Sequence, residues 1–426
     1  LELLQSKETF IPPRLDVPAL WTIDAILPIL CKTALNIEAI EIDPEQIRSL
    51  RHLREGRLLY MSNHPSTVEP PVAFSVAQRL GTRFHYMASR VVFNWYGGLL
   101  GQIIRRVGAF SVLPGAGDRD SIRTARSILA APQGKLAIYP EGMMSGENDN
   151  LISFMPGAIQ LGFWGLEDAR KKDPTARLPV LCAFVKYIAS GTPASLEQEI
   201  TASISRLEKK LHIHPGDKNL LRRFLSVGRV LLENAERDYR IPPGAQNDYE
   251  YRVGRARHAA LDAAARALEI ELPLRADALT KIRELFSAVE SVETGFSGSL
   301  KHKPNPAGLQ AAKRHIDRAY TFLVLRPTYL LERPTAERFI EWLLRFETVV
   351  FGQANLRPRQ ARVLFASPFY LDEYLTLYET DRKAGLEKAL GRVRSELETL
   401  MRQGCEMTKP LVKPGDAGSD FKMSGM

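Results

Sequence analysis

A histidine followed five positions later by a glutamate, His64 and Glu69, lies in the stretch Leu58-Leu-Tyr-Met-Ser-Asn-His64-Pro-Ser-Thr-Val-Glu69-Pro70. An imidazole serves as a general base only when a partner fixes its tautomer and orientation, and a carboxylate on the next turn supplies both. The apolar run before them reads as a buried strand that delivers Asn63 and His64 into a Pro- and Ser-rich turn. A purely structural reading also fits: His64 hydrogen-bonds the loop, and Glu69 steadies the positive end of a helix whose first residue is Pro70. Both readings stand on these residues alone. The second such stretch is Lys135-Leu-Ala-Ile-Tyr-Pro140-Glu141-Gly142. Here an acid lies just past a short buried strand, where ligands of open α/β sheets bind, so Glu141 can meet a substrate hydroxyl. Gly142 permits close approach of the backbone to that ligand.

The elements that must position these residues alternate. Strand patterns at 37–42, 58–61, 84–88, 107–113, 135–139 and 178–185 are separated by helical patterns at 44–54, 71–80, 121–131 and from Phe154 onward. This predicts a three-layer α/β domain with a mixed sheet. From Leu196 to Gly352 the period becomes helical throughout, with Pro/Gly breaks at 215–216, 242–244 and 304–306. A strand pattern returns at Arg362–Ala366, followed by a helix at 382–401. One strand cannot form a domain, so it is expected to rejoin the first sheet. The chain is therefore read as a helical lead-in at 1–35, an α/β domain at 36–195 and 355–405, and an all-α insertion at 196–352. The Gly-, Ser-, Lys- and Asp-rich stretch 409–426 is read as a disordered tail.

Two stretches bear on membranes. No run reaches the ~20 uncharged apolar residues of a spanning helix, and the nearest, Val17–Leu30, is interrupted by Asp24 and Pro28. It reads as an interfacial helix or as one packed on the core. The segment 91–104 is apolar and aromatic and ends in Arg105-Arg106. That texture suits a membrane-facing edge or a core helix with a solvated end.

The 426 residues carry a formal charge of +9, which favours anionic partners: phosphate-bearing substrates, an acidic lipid surface or nucleic acid. Nucleic acid is excluded on pattern, because the basic residues are spread among acids and no binding motif is present. Three widely spaced cysteines give neither a disulfide framework nor a zinc spacing and fit a reducing compartment. His212-Ile-His214 lacks further ligands at fixed spacing and reads as surface histidines. Gly295-Phe-Ser-Gly-Ser299 lacks the closing glycine of a serine nucleophile elbow. The chain begins at Leu1, so no targeting signal is read from it.

Taken together, these stretches resemble the glycerolipid acyltransferases, the lysophosphatidic acid and glycerol-3-phosphate acyltransferase group. The first family motif, N-H-x-x-x-x-D, matches Asn63-His64 and, with Glu for Asp, Glu69; the third, F-P-E-G-T-R-S, matches Tyr139-Pro140-Glu141-Gly142-Met143-Met144-Ser145. Leu178-Pro179-Val180 resembles the fourth, and Val363 to Pro368 the closing strand. The resemblance covers roughly 36–190 and 355–402. It implies direct transfer of an acyl group from acyl-CoA or acyl-carrier protein to a hydroxyl of a lysophospholipid or glycerol phosphate. His64 would be the base and Glu69 its orienting acid, with Glu141 and Gly142 at the acceptor, backbone N–H groups near the turn on the oxyanion, and neither metal nor bound cofactor. The phosphate-binding arginine of the second motif is displaced here; Arg119, Arg105 and Arg106 are the candidates. Peripheral attachment at the cytoplasmic face of an anionic membrane follows from the same likeness and from the two apolar stretches. The competing class is a non-catalytic lipid-surface or scaffold protein that acts through its helical insertion.

Overall fold

The computed structural model describes residues 8–113, 118–242, 248–295 and 304–414. The turn at 114–117, most of the break at 242–244, the stretch 296–299 and the tail beyond 414 lie outside them. The chain divides into two compact units. One comprises residues up to Ile188 together with Pro358–Met407; the other comprises Ala189–Arg357 together with residues from Thr408.

In chain order the first unit contains α1 (Val17–Ala34), β1 (Ile37–Ile42), α2 (Pro44–Leu50), β2 (Leu58–Ser62), α3 (Glu69–Arg79), β3 (His85–Ser89), α4 (Leu99–Arg106) and β4 (Ala109–Val112). It continues through α5 (Arg119–Ala130), β5 (Lys135–Ile138), α6 (Gly157–Arg170) and β6 (Pro179–Ala189). The second unit supplies α7 (Pro193–Leu211), α8 (Leu220–Asp238), α9 (Tyr249–Leu268), α10 (Ala278–Glu293), α11 (Pro306–Val324), α12 (Pro327–Glu332) and α13 (Ala336–Phe351). The chain then returns to the first unit with β7 (Arg359–Phe365), β8 (Phe369–Tyr370), α14 (Leu375–Thr380) and α15 (Arg382–Glu406).

The strands form one sheet in the order β1-β7-β6-β2-β5-β3-β4, with β8 on β6. β2 pairs in parallel with both β5 and β6, β7 pairs in parallel with β1, and β8 is antiparallel. The strand after the helical stretch thus lies in the same sheet as β2 and β5.

Strand alternation explains the layers. Tyr60, Ala137, Ala183 and Val185 face a core closed by α1, α2 and α3, whereas Leu59, Met61, Leu136, Ile138 and Cys182 face one closed by α5, α6 and α15. Buried on both faces, β2 and β6 read as unbroken apolar runs rather than alternating ones. At Gly165 an added Cβ would lie 2.4 Å from the Leu129 Cβ, so this glycine sets the close approach of α6 to α5.

Three elements differ from the pattern-based reading. α3 starts at Glu69 rather than at Pro70 or Pro71, since prolines in a first turn forfeit no intrahelical bond. The aromatic segment is not one helix: 3₁₀ turns at Arg90–Gly98 break at Trp95–Gly97, where Tyr96 adopts φ 52°, before α4 begins. α1 runs unbroken through Pro28. It docks through Leu20, Leu27 and Cys31 and through Asp24, which accepts from Arg83 at 2.8 Å. Among the described residues it is also the one helix long and apolar enough to cross a membrane.

In the second unit Phe224, Leu231, Phe339, Trp342, Leu343 and Phe346 belong to one core. His212 ends α7 in the left-handed conformation, and both it and His214 are exposed.

Candidate active site

β2 ends at Ser62, but β6 continues past it, which leaves backbone groups of β6 to be satisfied. Asn63 supplies them: its carboxamide accepts from the Val185 N–H at 2.8 Å and donates to the Val185 carbonyl at 3.1 Å. Asn148 extends the same service, donating to the Val185 carbonyl and accepting from the Tyr187 N–H, each at 2.8 Å. With Asn63 clamped, the next residue leaves the strand at a fixed angle. That residue is His64.

The His64 Nδ1 lies 2.7 Å from the Glu69 Oε2. The imidazole is 20% exposed and the carboxylate not at all. With Nδ1–H donating to the carboxylate, Nε2 carries the free lone pair. Glu69 accepts three more bonds: the Ser66 N–H at 3.0 Å on Oε2, and the Ser66 and Tyr187 hydroxyls, each at 2.7 Å, on Oε1. On one side the His64 ring stacks on Tyr139, with centroids 4.4 Å apart and planes 21° apart. Burial raises the Tyr139 phenol well above its ordinary range.

Glu141 reaches the same turn from β5. It is fully buried, and its Oε1 accepts the backbone N–H of His64 at 2.8 Å while its Oε2 accepts that of Ile152 at 3.2 Å. Burial pushes its carboxyl up to about 7 against the pull of these two N–H donors. Both oxygens therefore engage the protein's own loops. Gly142 closes the turn with its N–H on the Tyr139 carbonyl at 3.1 Å. Its φ is +67°, and an added Cβ would meet the Met155 Cγ at 2.8 Å. Further on, Ser145 and Gly146 donate to the carbonyls of His64 and Pro65. From α15, Arg394 holds the carbonyls of Leu151 and Ile152 at 3.0 and 2.6 Å. The two motif loops are thus sewn together around His64.

The arginines stand elsewhere. Arg105 donates its Nε to the Pro12 carbonyl at 3.1 Å; Arg106 and Arg119 are exposed, at the end of α4 and the start of α5. Among the described residues none of the three bonds to His64, Glu69 or Glu141. The N–H groups of His64, Ser66, Gly142, Ser145 and Gly146 all donate within the protein, so none of them is free for an oxyanion.

Ser66, Tyr187 and Asn148 belong to the constellation without having been singled out from the sequence. Ser66 lay in plain view, three residues before Glu69. No local signal marks Tyr187 or Asn148, because their roles arise from the pairing of β6 beside β2.

Residues 42–163 match the family model described as Acyltransferase. The matched segment contains His64, Glu69, Glu141 and all three arginines; it ends before β6 and Tyr187. No curated protein matches the chain.

Proposed function

We propose that this chain, which carries an acyltransferase-family domain at residues 42–163, moves a fatty acyl group from acyl-CoA or acyl-carrier protein to a hydroxyl of a lysophospholipid or glycerol phosphate. The observation that carries the reading is the His64–Glu69 pair at 2.7 Å at the carboxyl end of a central parallel strand. His64 Nε2 takes the proton from the acceptor hydroxyl as its oxygen attacks the thioester carbonyl. The tetrahedral centre collapses, the C–S bond breaks, and the proton leaves with the thiol. The buried negative charge of Glu69 stabilises the imidazolium formed in between. A positioned base of this kind contributes ~10²–10⁴-fold. Direct transfer requires no acyl-enzyme.

The net charge of +9 suits an acceptor with a phosphate. The exposed Arg119 and Arg106 are the candidates to bind it, because Arg105 already serves the Pro12 carbonyl. Attachment to the cytoplasmic face of an anionic membrane is supported by the outward side of α1, where Trp21 is 69% and Ile29 65% exposed. α1 lies on the bilayer rather than across it in this reading, since spanning would strip Leu20 and Leu27 from the core and Asp24 from Arg83.

The test is to incubate purified protein with labelled acyl-CoA and with acyl-carrier protein, against glycerol-3-phosphate and a panel of lysophospholipids. Acylated product that disappears in His64→Ala is expected, with the fold unchanged. If wild type and His64→Ala release the same small amount of CoA with every acceptor, catalysis is ruled out and the scaffold reading takes its place.

A further inference from the structure

The acid that orients His64 is a glutamate, one methylene longer than the aspartate of the family motif. Its extra torsion must be fixed before the carboxylate can aim the imidazole. Among the described residues Glu69 has four hydrogen bonds: two of the donors sit on the turn beside it, one is His64 itself, and Tyr187 comes from another strand. Tyr187 is itself held: its N–H is bound to Asn148, its ring lies 4.1 Å from the Arg359 guanidinium carbon, and it is 5% exposed. Burial and the neighbouring Glu69 charge keep its phenol far above the usual range, so the hydroxyl acts as a donor across any working pH.

We propose that Tyr187 is a positioning residue that fits this site to glutamate at position 69, so that aspartate there cannot restore full activity. The proposal rests on His64 acting as the base. A shorter acid withdraws the carboxylate by about 1.5 Å, the length of one C–C bond. O–H···O bonds tolerate only about 2.5–3.0 Å, so an aspartate that keeps His64 loses Tyr187. Coupled residues of this kind are not additive.

The experiment is a double-mutant cycle with Tyr187→Phe and Glu69→Asp, run beside wild type and His64→Ala. In the Glu69 background Tyr187→Phe is expected to lower kcat about tenfold with both KM values unchanged, as loss of an interaction used in the transition state does. In the Glu69→Asp background the same change should alter kcat by less than about twofold. Equal losses in both backgrounds, or a loss confined to KM, would mean that Tyr187 is ordinary packing and would overturn the proposal. An NMR measurement separates this failure from failure of the enzymatic reading. The hydrogen-bonded Nδ1 proton of His64 should move in Tyr187→Phe and stay put when Tyr187→Phe is added to Glu69→Asp. If it is unmoved in the Glu69 protein the proposal falls, whatever the activity assay gives.

Discussion

Glu69 and the buried acids of the helical unit are held by different kinds of partner. In the helical unit the buried acids are cancelled by opposite full charge: Glu208 by Arg223 and Glu347 by Arg357. In the α/β unit Asp149 is likewise paired with the buried Lys186, but Glu69 is met by neutral N–H and O–H donors and by one imidazole. A closed ion pair specifies which helix packs on which and moves no proton. A carboxylate held by neutral donors keeps its negative charge directed at a group that can become cationic. The same residue type thus acts as a fastener in one region and as part of a base in the other.

The largest effect expected from breaking this contrast is that of Glu69→Gln. An amide turned towards His64 donates to Nδ1, which leaves the proton on Nε2, the wrong tautomer for a base. A comparable change in a Ser-His-Asp triad costs ~10⁴-fold in kcat, so a loss on the order of 10³–10⁴-fold is expected here below the unfolding transition, with a loss of ~1–3 kcal/mol in stability because the new NH₂ also faces the Ser66 N–H. Retention of a tenth of the activity would show that the carboxylate does not set the tautomer.

Arg357→Ala should do the converse. All five guanidinium N–H groups are in use, on Glu199, Ser203, Glu347 and the Asn355 carbonyl, and the side chain is 3% exposed. Removing it leaves the buried Glu347 to the Asn355 N–H and, at 3.9 Å, to the exposed Arg206, so denaturant unfolding should show a loss of ~3 kcal/mol. Below the unfolding transition kcat should not change. A fall in kcat there would end the division of labour between the two regions.

How far such features could be read in advance depended on their range along the chain. His64 and Glu69 share one short turn, so a local pattern sufficed. Glu141 stood out as an acid after a strand, yet its actual contacts, the N–H groups of His64 and Ile152, depend on two loops meeting across β2 and β5. Strand periodicity located β7, and β1 is its parallel partner. In the 91–104 segment the apolar run drew attention from Gly97-Gly98, a glycine pair at positive φ that marks the break at Trp95–Gly97. Tyr187 was out of reach for the same reason as Asn148: both act through sheet order.

Glu141→Gln probes the neutral-donor region more gently. The new NH₂ would face an N–H, at a penalty of ~1–3 kcal/mol. Expected is a fall in kcat without a rise in acceptor KM; the reverse would show that the carboxylate touches substrate after all. The pH dependence has a definite sign. Because burial raises the folded carboxyl from 4.5 to about 7, the folded state binds more proton than the unfolded state between those values. Its contribution to stability is therefore full below pH 4.5 and is lost as the pH rises to about 7. The stability difference between wild type and Glu141→Gln should shift against wild type over that window and level off above it.

The smallest structural effect, and the last contrast between the units, is on α1. α8 buries Leu221, Phe224 and Leu232 and turns the Arg229–Glu233 pair to solvent, as a helix packed on one side should. α1 buries a stripe at Leu20, Leu27 and Cys31 yet also exposes Trp21, Ile26 and Ile29, so it is apolar on both sides. Because neither Trp21 nor Ile29 is in the core, changing both to serine should alter unfolding stability by no more than ~0.5 kcal/mol. Full burial of a large apolar side chain is worth ~1.5–3 kcal/mol, and partial insertion at a bilayer surface recovers a share of that from each. Flotation with anionic vesicles should therefore fall by tenfold or more in the double variant, while high salt weakens the wild-type protein's binding through its basic residues. Equal flotation of both proteins would move the membrane contact away from α1. Equal indifference of the wild type to anionic and neutral vesicles would remove it altogether.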